Sequence, residues 1–305
     1  EQGFQVERDV ADIPTAFTGT FGHGKPVIGF LGEFDALSGL SQVAGATEKI
    51  AVHPGGNGHG CGHNLLGTGC LAAAIGLKKY LEENGKEGTI IFYGCPAEEG
   101  GGGKTFMARE GCFDHLDAAI AWHPGDAYGS SAGSTLANCQ IYFRYKGISS
   151  HAGRSALDAV TLFNVGIQFL REHVLPSVRM HYAVTDTGGF SPNVVQPTAE
   201  VLVLLRAEDN ATVADVRSRV EDIARGAALM TGTELEIDFV KATSNTVPNH
   251  VLGRDAVENL KLLKLPEFSK EDVEFYSKIS ATNKNGNPGH PIADTIPDFK
   301  PVEIV

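Results

Sequence analysis

Apolar residues follow two rhythms along this chain, and the rhythm changes near residue 140. Before that point, short continuous apolar runs alternate with segments that repeat every three to four residues. Lys25–Leu31, Thr89–Tyr93 and Ala118–Trp122 are runs of the kind that form strands buried on both faces. Between the first two, Leu66, Cys70, Ala73, Leu77 and Leu81 recur at helical spacing. They predict a helix from Leu65 to about Asn84, stopped by Gly85. Phe4-Gln5-Val6 reads as a short alternating strand, and a brief helix is predicted from Lys104 to Glu110, ending at Gly111. Strand and helix in alternation predict an α/β fold on a parallel or mostly parallel sheet.

After Gln140 the strands alternate apolar and polar positions, as in Ile141-Tyr142-Phe143-Arg144-Tyr145. That is the mark of a sheet with one face in water. A helix from Ala156 to His173 follows, then strands near Met180–Thr185 and Thr198–Leu205, a helix over Val213–Thr231 and a strand over Glu234–Val240. Strand, helix, strand, strand, helix, strand is a split βαβ pattern, an α+β layer inserted at about residues 139–246. Two further helices, Val251–Leu263 and Ser269–Ser280, return the chain to its first domain, which thus comprises 1–138 and 247–305.

Composition narrows the function. A chain of 305 residues, 42% hydrophobic and 20% charged, has the length of about two domains. With 25 Lys+Arg against 37 Asp+Glu the net charge is −12, which argues against nucleic acid as a partner, because phosphate neutralisation needs a basic face. No apolar run has the length of a membrane span, and no leader or lipidation motif is visible, so the expected compartment is the cytoplasm. Five cysteines, an odd number at low density, read as reduced thiols.

The chemistry gathers where the strands end. Gly32-Glu33-Phe34-Asp35 follows the first buried run, Pro96-Ala97-Glu98-Glu99 the second and His123-Pro124 the third. Carboxyl ends of such strands line active-site crevices. The octet Asn57–Asn64 adds His59, Cys61 and His63, two residues apart and separated by glycines. An extended backbone would point all three the same way. Sparse, mixed nitrogen and sulfur donors describe an open metal site, and the helix that starts here would help hold Cys61 as a thiolate. Adjacent Glu98 and Glu99 cannot face one point. One would bind metal while the other reaches a metal-bound water, which is a hydrolase arrangement.

Gly32–Leu37, His59–His63, Pro96–Gly101 and Ala121–Pro124 together resemble the M20 metallopeptidase and amidohydrolase family, in its branch of aminobenzoyl-glutamate, auxin-conjugate and hippurate hydrolases. Lys146–Gly153 and Asn193-Val194-Val195 resemble that family's inserted lid and dimerisation domain. The resemblance implies a two-metal site of zinc or manganese held by Cys61, His63, Glu99 and His123, with Glu98 as general base. It implies His151 as the group that stabilises the oxyanion, Asn193 and Arg206 as grips on a substrate carboxylate, and Asp35 and His59 as supports. Arg206 also reads as a strand-end surface charge.

The implied reaction is cleavage of the amide bond of an N-acyl or N-aroyl amino acid by a homodimer joined through the inserted domain. The alternative is a non-catalytic scaffold used for dimerisation or ligand binding. One family feature is not found. A last metal-ligating histidine belongs near the carboxyl end, and His290 stands in a different setting, so the chain is expected to be a piece truncated at both ends.

Overall fold

The computed structural model describes residues 1–130, 133–150, 153–282 and 292–301; His151 and His290 lie outside them. The chain divides into two compact units, Glu1–Ser130 with Leu252–Phe299, and a second within Ser131–Val251.

The first unit holds strands β1 (Gln5–Arg8), β2 (Phe17–His23), β3 (Val27–Glu33), β4 (Gly88–Cys95) and β5 (Ala118–Ile120) in one sheet ordered β1-β2-β4-β3-β5. β3 runs parallel to β4 and β5, whereas β2 is antiparallel to both β1 and β4. The sheet is therefore mixed, not mostly parallel. Only Gly24, Lys25 and Pro26 separate β2 from β3, and so short a connection reverses the chain because a parallel crossover needs a dozen or more residues.

Helix α1 (His63–Asn84) covers one face through Leu66, Cys70 and Ala74, packed with Ile90 and Phe92 of β4 and Phe30 of β3. Alternate residues of the same strand, Ile91, Tyr93 and Cys95, meet Ala16 and Met107 of the short helix α2 (Gly103–Arg109) on the other face. Burial on both faces explains why β4 reads as an unbroken apolar run. Gly85 ends α1 in the left-handed conformation, φ 58°, as its place after Asn84 predicted.

The second unit contains β6 (Ala137–Lys146), α3 (Ala156–Leu170), β7 (Arg179–Asp186), β8 (Thr198–Ala207), α4 (Asn210–Thr231) and β9 (Glu234–Thr243). Its sheet is antiparallel throughout, ordered β7-β8-β6-β9. Ile141, Phe143 and Tyr145 of β6 and Val201, Val203 and Leu205 of β8 face a core closed by Val160, Phe163 and Ile167 of α3 and Val216, Val220 and Ala224 of α4. Ser155 caps α3 by accepting the Asp158 N–H at 3.0 Å. Ser155→Ala is expected to lower unfolding free energy by about 1 kcal/mol, read from the urea midpoint, with an unchanged denaturant slope.

Helices α5 (His250–Lys261) and α6 (Lys270–Ala281) follow, the latter started by a capping box between Ser269 and Asp272. No helix among the described residues is long and apolar enough to cross a membrane.

Candidate metal centre

β4, β3 and β5 are neighbours and parallel, so their carboxyl ends share one sheet edge. β3 delivers Glu33 as its last residue and Asp35 two positions on; the loop after β4 carries Glu98 and Glu99; His123 follows β5. The fourth contribution comes from the glycine-rich loop before α1. Gly62 there has φ +80°, and a Cβ on it would lie 2.6 Å from Pro124 Cγ. Only glycine fits both conditions. The close approach sets the rings of His63 and His123 edge to face, 5.7 Å between centroids at 82°.

His63 is buried at 1% exposure and lies at the middle of the cluster. Asp35 receives its Nδ1–H at 2.9 Å and, through its second oxygen, the Glu99 backbone N–H at 2.9 Å. Burial raises the Asp35 carboxyl, but these hydrogen bonds outweigh it and hold the group below its ordinary range. An ionised Asp35 can only accept, so Nδ1 carries a proton, and in the neutral ring Nε2 is the nitrogen left with a lone pair. Nε2 is buried and has no hydrogen bond among the described residues, and the same holds for Glu99 Oε1. Glu33 Oε2 lies 3.2 Å from Nε2 without the alignment of a hydrogen bond, and Glu98 Oε2 lies 4.0 Å away.

His123 is built the same way. Its Nδ1 donates to the Pro124 carbonyl at 2.9 Å, and its Nε2 stands 3.3 Å from Cys61 Sγ. An imidazole whose outer nitrogen is fixed by an acceptor while the inner one faces other donors is the arrangement of a metal ligand. The ligand atoms of Cys61, His63 and His123 fall within 4.8 Å of one another, and so do those of Glu33, His63 and Glu98. His63 belongs to both groups. The orphaned buried atoms, the inward lone pairs and the mixed donors fit divalent cations.

Besides the entry of Glu98, and not of the expected ligand Glu99, into the group around His63, three details depart from the sequence expectations. His59 is exposed and lies in neither group, because the loop turns at Gly60–Gly62 instead of running extended; it lines a cavity of about 600 Å³ with Phe34, Asn64 and Thr68. The Cys61 thiol is pushed up, first by burial and then by Glu99, Glu98 and Glu33, so the start of α1 does not by itself hold a thiolate. The third is the company Glu33 keeps. It reaches His63 and forms an ion pair with Lys104, which the sequence signalled only by two acids at alternate positions beyond a strand. Asn193 and Arg206 are exposed in the second unit, in the turn between β7 and β8 and near the end of β8.

A family model described as peptidase family M20/M25/M40 matches residues 29–279. The chain belongs to this family. Among its M20 relatives, one of the subunits of p-aminobenzoyl-glutamate hydrolase from Escherichia coli is 54% identical over 286 residues, 92% of this chain and 60% of that protein. Xaa-Arg dipeptidase of Mus musculus is 32% identical over 287 residues, 89% of this chain and 62% of that protein. The chain thus spans about 60% of the length of these curated relatives. In structure it is similar to an aminobenzoyl-glutamate utilization protein from Klebsiella pneumoniae, with TM-score 0.58 and 21% identity over 87% of this chain and 67% of that one. It is also similar to a dinuclear metal-binding peptidase of the M20 family from Bacillus subtilis, with TM-score 0.59 and 19% identity over 86% and 70% of the two chains. Both likenesses concern the fold.

Proposed function

We propose that the full-length protein is a metal-dependent amidohydrolase that cleaves the amide bond of an N-acyl or N-aroyl amino acid, p-aminobenzoyl-glutamate being the first substrate to test. The observation that carries this reading is the buried His63, fixed by Asp35 and presenting an unpaired Nε2 to a ring of acids beside Cys61 and His123. The substrate class rests on the 54% identity to a hydrolase named for that compound.

Cys61, His63, Glu99 and His123 would hold two divalent ions, zinc or manganese. Bound ions lower the pKa of a coordinated water and polarise the scissile carbonyl. Glu98 is the general base. Its side chain is 45% exposed and projects from the loop after β4, where it can take a proton from the attacking water and pass it to the leaving nitrogen. Glu99, by contrast, keeps a buried oxygen with no hydrogen bond among the described residues, which supports the reading of it as the ligand and of Glu98 as the base.

Asn193 and Arg206 grip the substrate carboxylate, and His151 donates to the oxyanion. The last role rests on the match of Lys146–Gly153 to the family. A scaffold used only for binding has no need of a base poised beside paired imidazoles, which favours the enzyme over the non-catalytic alternative. The second unit serves as lid and dimerisation domain in a cytoplasmic protein. Two of the Escherichia coli relatives, 54% and 27% identical to this chain, are named as the two different subunits of one p-aminobenzoyl-glutamate hydrolase. A related but distinct chain is therefore a second assembly partner to test beside the homodimer.

The test uses the full-length, metal-loaded protein with p-aminobenzoyl-glutamate, hippurate and N-acetyl amino acids, following release of the free amine or acid. Hydrolysis strongest on the aroyl-glutamate is expected. Turnover of none of them contradicts the reading. His151→Ala is expected to lower kcat by about 10²–10³-fold with metal content unchanged, and an unaltered kcat would remove His151 from the reaction.

A further inference from the structure

β3 ends by placing two carboxylates on one imidazole, and they meet opposite edges of it. Asp35 takes the Nδ1 proton at 2.9 Å, while Glu33 sets Oε2 3.2 Å from Nε2. In the neutral ring, the form able to bind a cation through Nε2, this second meeting brings a lone pair against a carboxylate oxygen. The His63 side chain is only 1% exposed and that of Glu33 14% exposed, so little water can screen two acceptors facing each other. Such an arrangement is costly unless a cation lies where both can bind it.

Glu33 is also held in place. Its other oxygen, Oε1, is taken by the Lys104 ammonium from the first turn of α2. The lysine therefore fixes the carboxylate and leaves Oε2 for the side that faces His63. Charge points the same way. Asp35, Glu33, Glu98 and Glu99 gather four carboxylates around this imidazole, and the Lys104 ammonium offsets only one of them.

From this geometry we infer that Glu33 is itself a metal ligand, binding through Oε2, with Lys104 as the clamp that orients it. The inference rests on the two-ion reading and adds to it a residue outside the set of Cys61, His63, Glu99 and His123. A purely structural Glu33 would serve only as the counter-ion of Lys104 or of a protonated His63, and its loss would leave metal affinity unchanged.

The experiment strips the full-length protein with a chelator and titrates it with zinc and with manganese against a chromogenic competitor. Parent, Glu33→Gln and Cys61→Ser are compared, and thermal unfolding midpoints are recorded with and without metal. Glu33→Gln removes the charge while keeping the shape. It is expected to weaken metal binding by roughly 10–100-fold, to shrink the metal-induced rise in midpoint, and to leave the metal-free midpoint no lower than the parent's. A metal-free midpoint that falls while affinity is unchanged would reduce Glu33 to the counter-ion of Lys104 and overturn the inference.

The parent alone supplies a second measurement, so the outcome does not depend on the variant folding. In crystals of the zinc-loaded protein, Glu33 Oε2 should lie about 2.0–2.2 Å from an ion; a carboxylate beyond bonding range also overturns the inference. Cys61→Ser separates the two ideas. Loss of metal there with unchanged affinity in Glu33→Gln sinks the role of Glu33 and spares the centre, whereas no binding by the parent sinks both.

Discussion

Glu98→Gln in the full-length, metal-loaded protein is expected to lower kcat by roughly 10²–10⁴-fold, the usual contribution of a general base, while metal content stays at the parent level. The expectation follows from how the two adjacent acids are placed. Glu98 is half exposed with its oxygen 4.0 Å from His63 Nε2, whereas Glu99 keeps a buried oxygen with no hydrogen bond among the described residues and has its backbone N–H tied to Asp35. Glutamine at 98 retains the shape and loses only the capacity to take a proton. At 99 the same change should strip metal as well as turnover. Metal loss at 98 with retention at 99 would exchange the two roles.

Cys61→Ser should cost most of the bound metal at equilibrium. Cys61 Sγ stands 3.3 Å from His123 Nε2, within a group whose third member is His63. Burial and the carboxylates of Glu99, Glu98 and Glu33 push the thiol up, so ion binding at Cys61 is expected to release its proton. Serine removes the soft donor without adding bulk. The variant's metal content, measured after dialysis beside the parent, should fall while its metal-free unfolding midpoint changes little. Equal metal content in the two proteins would mean that Cys61 is not a ligand.

Much of the fold was legible because burial leaves a simple imprint on sequence. β4 is covered on both faces and reads as a continuous run, while β6 and β8 bury every second residue and read as alternation. β2 left no such trace. Thr18, Gly19 and Thr20 carry little apolar signal, and their place is set by pairing with Ile91, Phe92 and Tyr93, more than seventy residues away. The mixed character of the sheet was hidden for the same reason, since it depends on which strand β4 slips between.

At the centre, the donors could be picked out by type and by their position past strand ends, but their grouping depended on chain direction. A turn at Gly62 sends His63 into the cluster and leaves His59 in solvent, although the three donors are evenly spaced. Glu33 shows the converse. Nothing in its spacing separates it from Asp35, and only side-chain placement reveals that the two acids take opposite nitrogens of one ring.

Whether the His63-centred cluster is a two-ion site is tested most directly by elemental analysis of the full-length protein. After dialysis against metal-free buffer, two equivalents of zinc or manganese per chain are expected, removable by chelator and restored on adding either metal. A protein that retains no divalent metal, and takes up none at micromolar concentration, would contradict it.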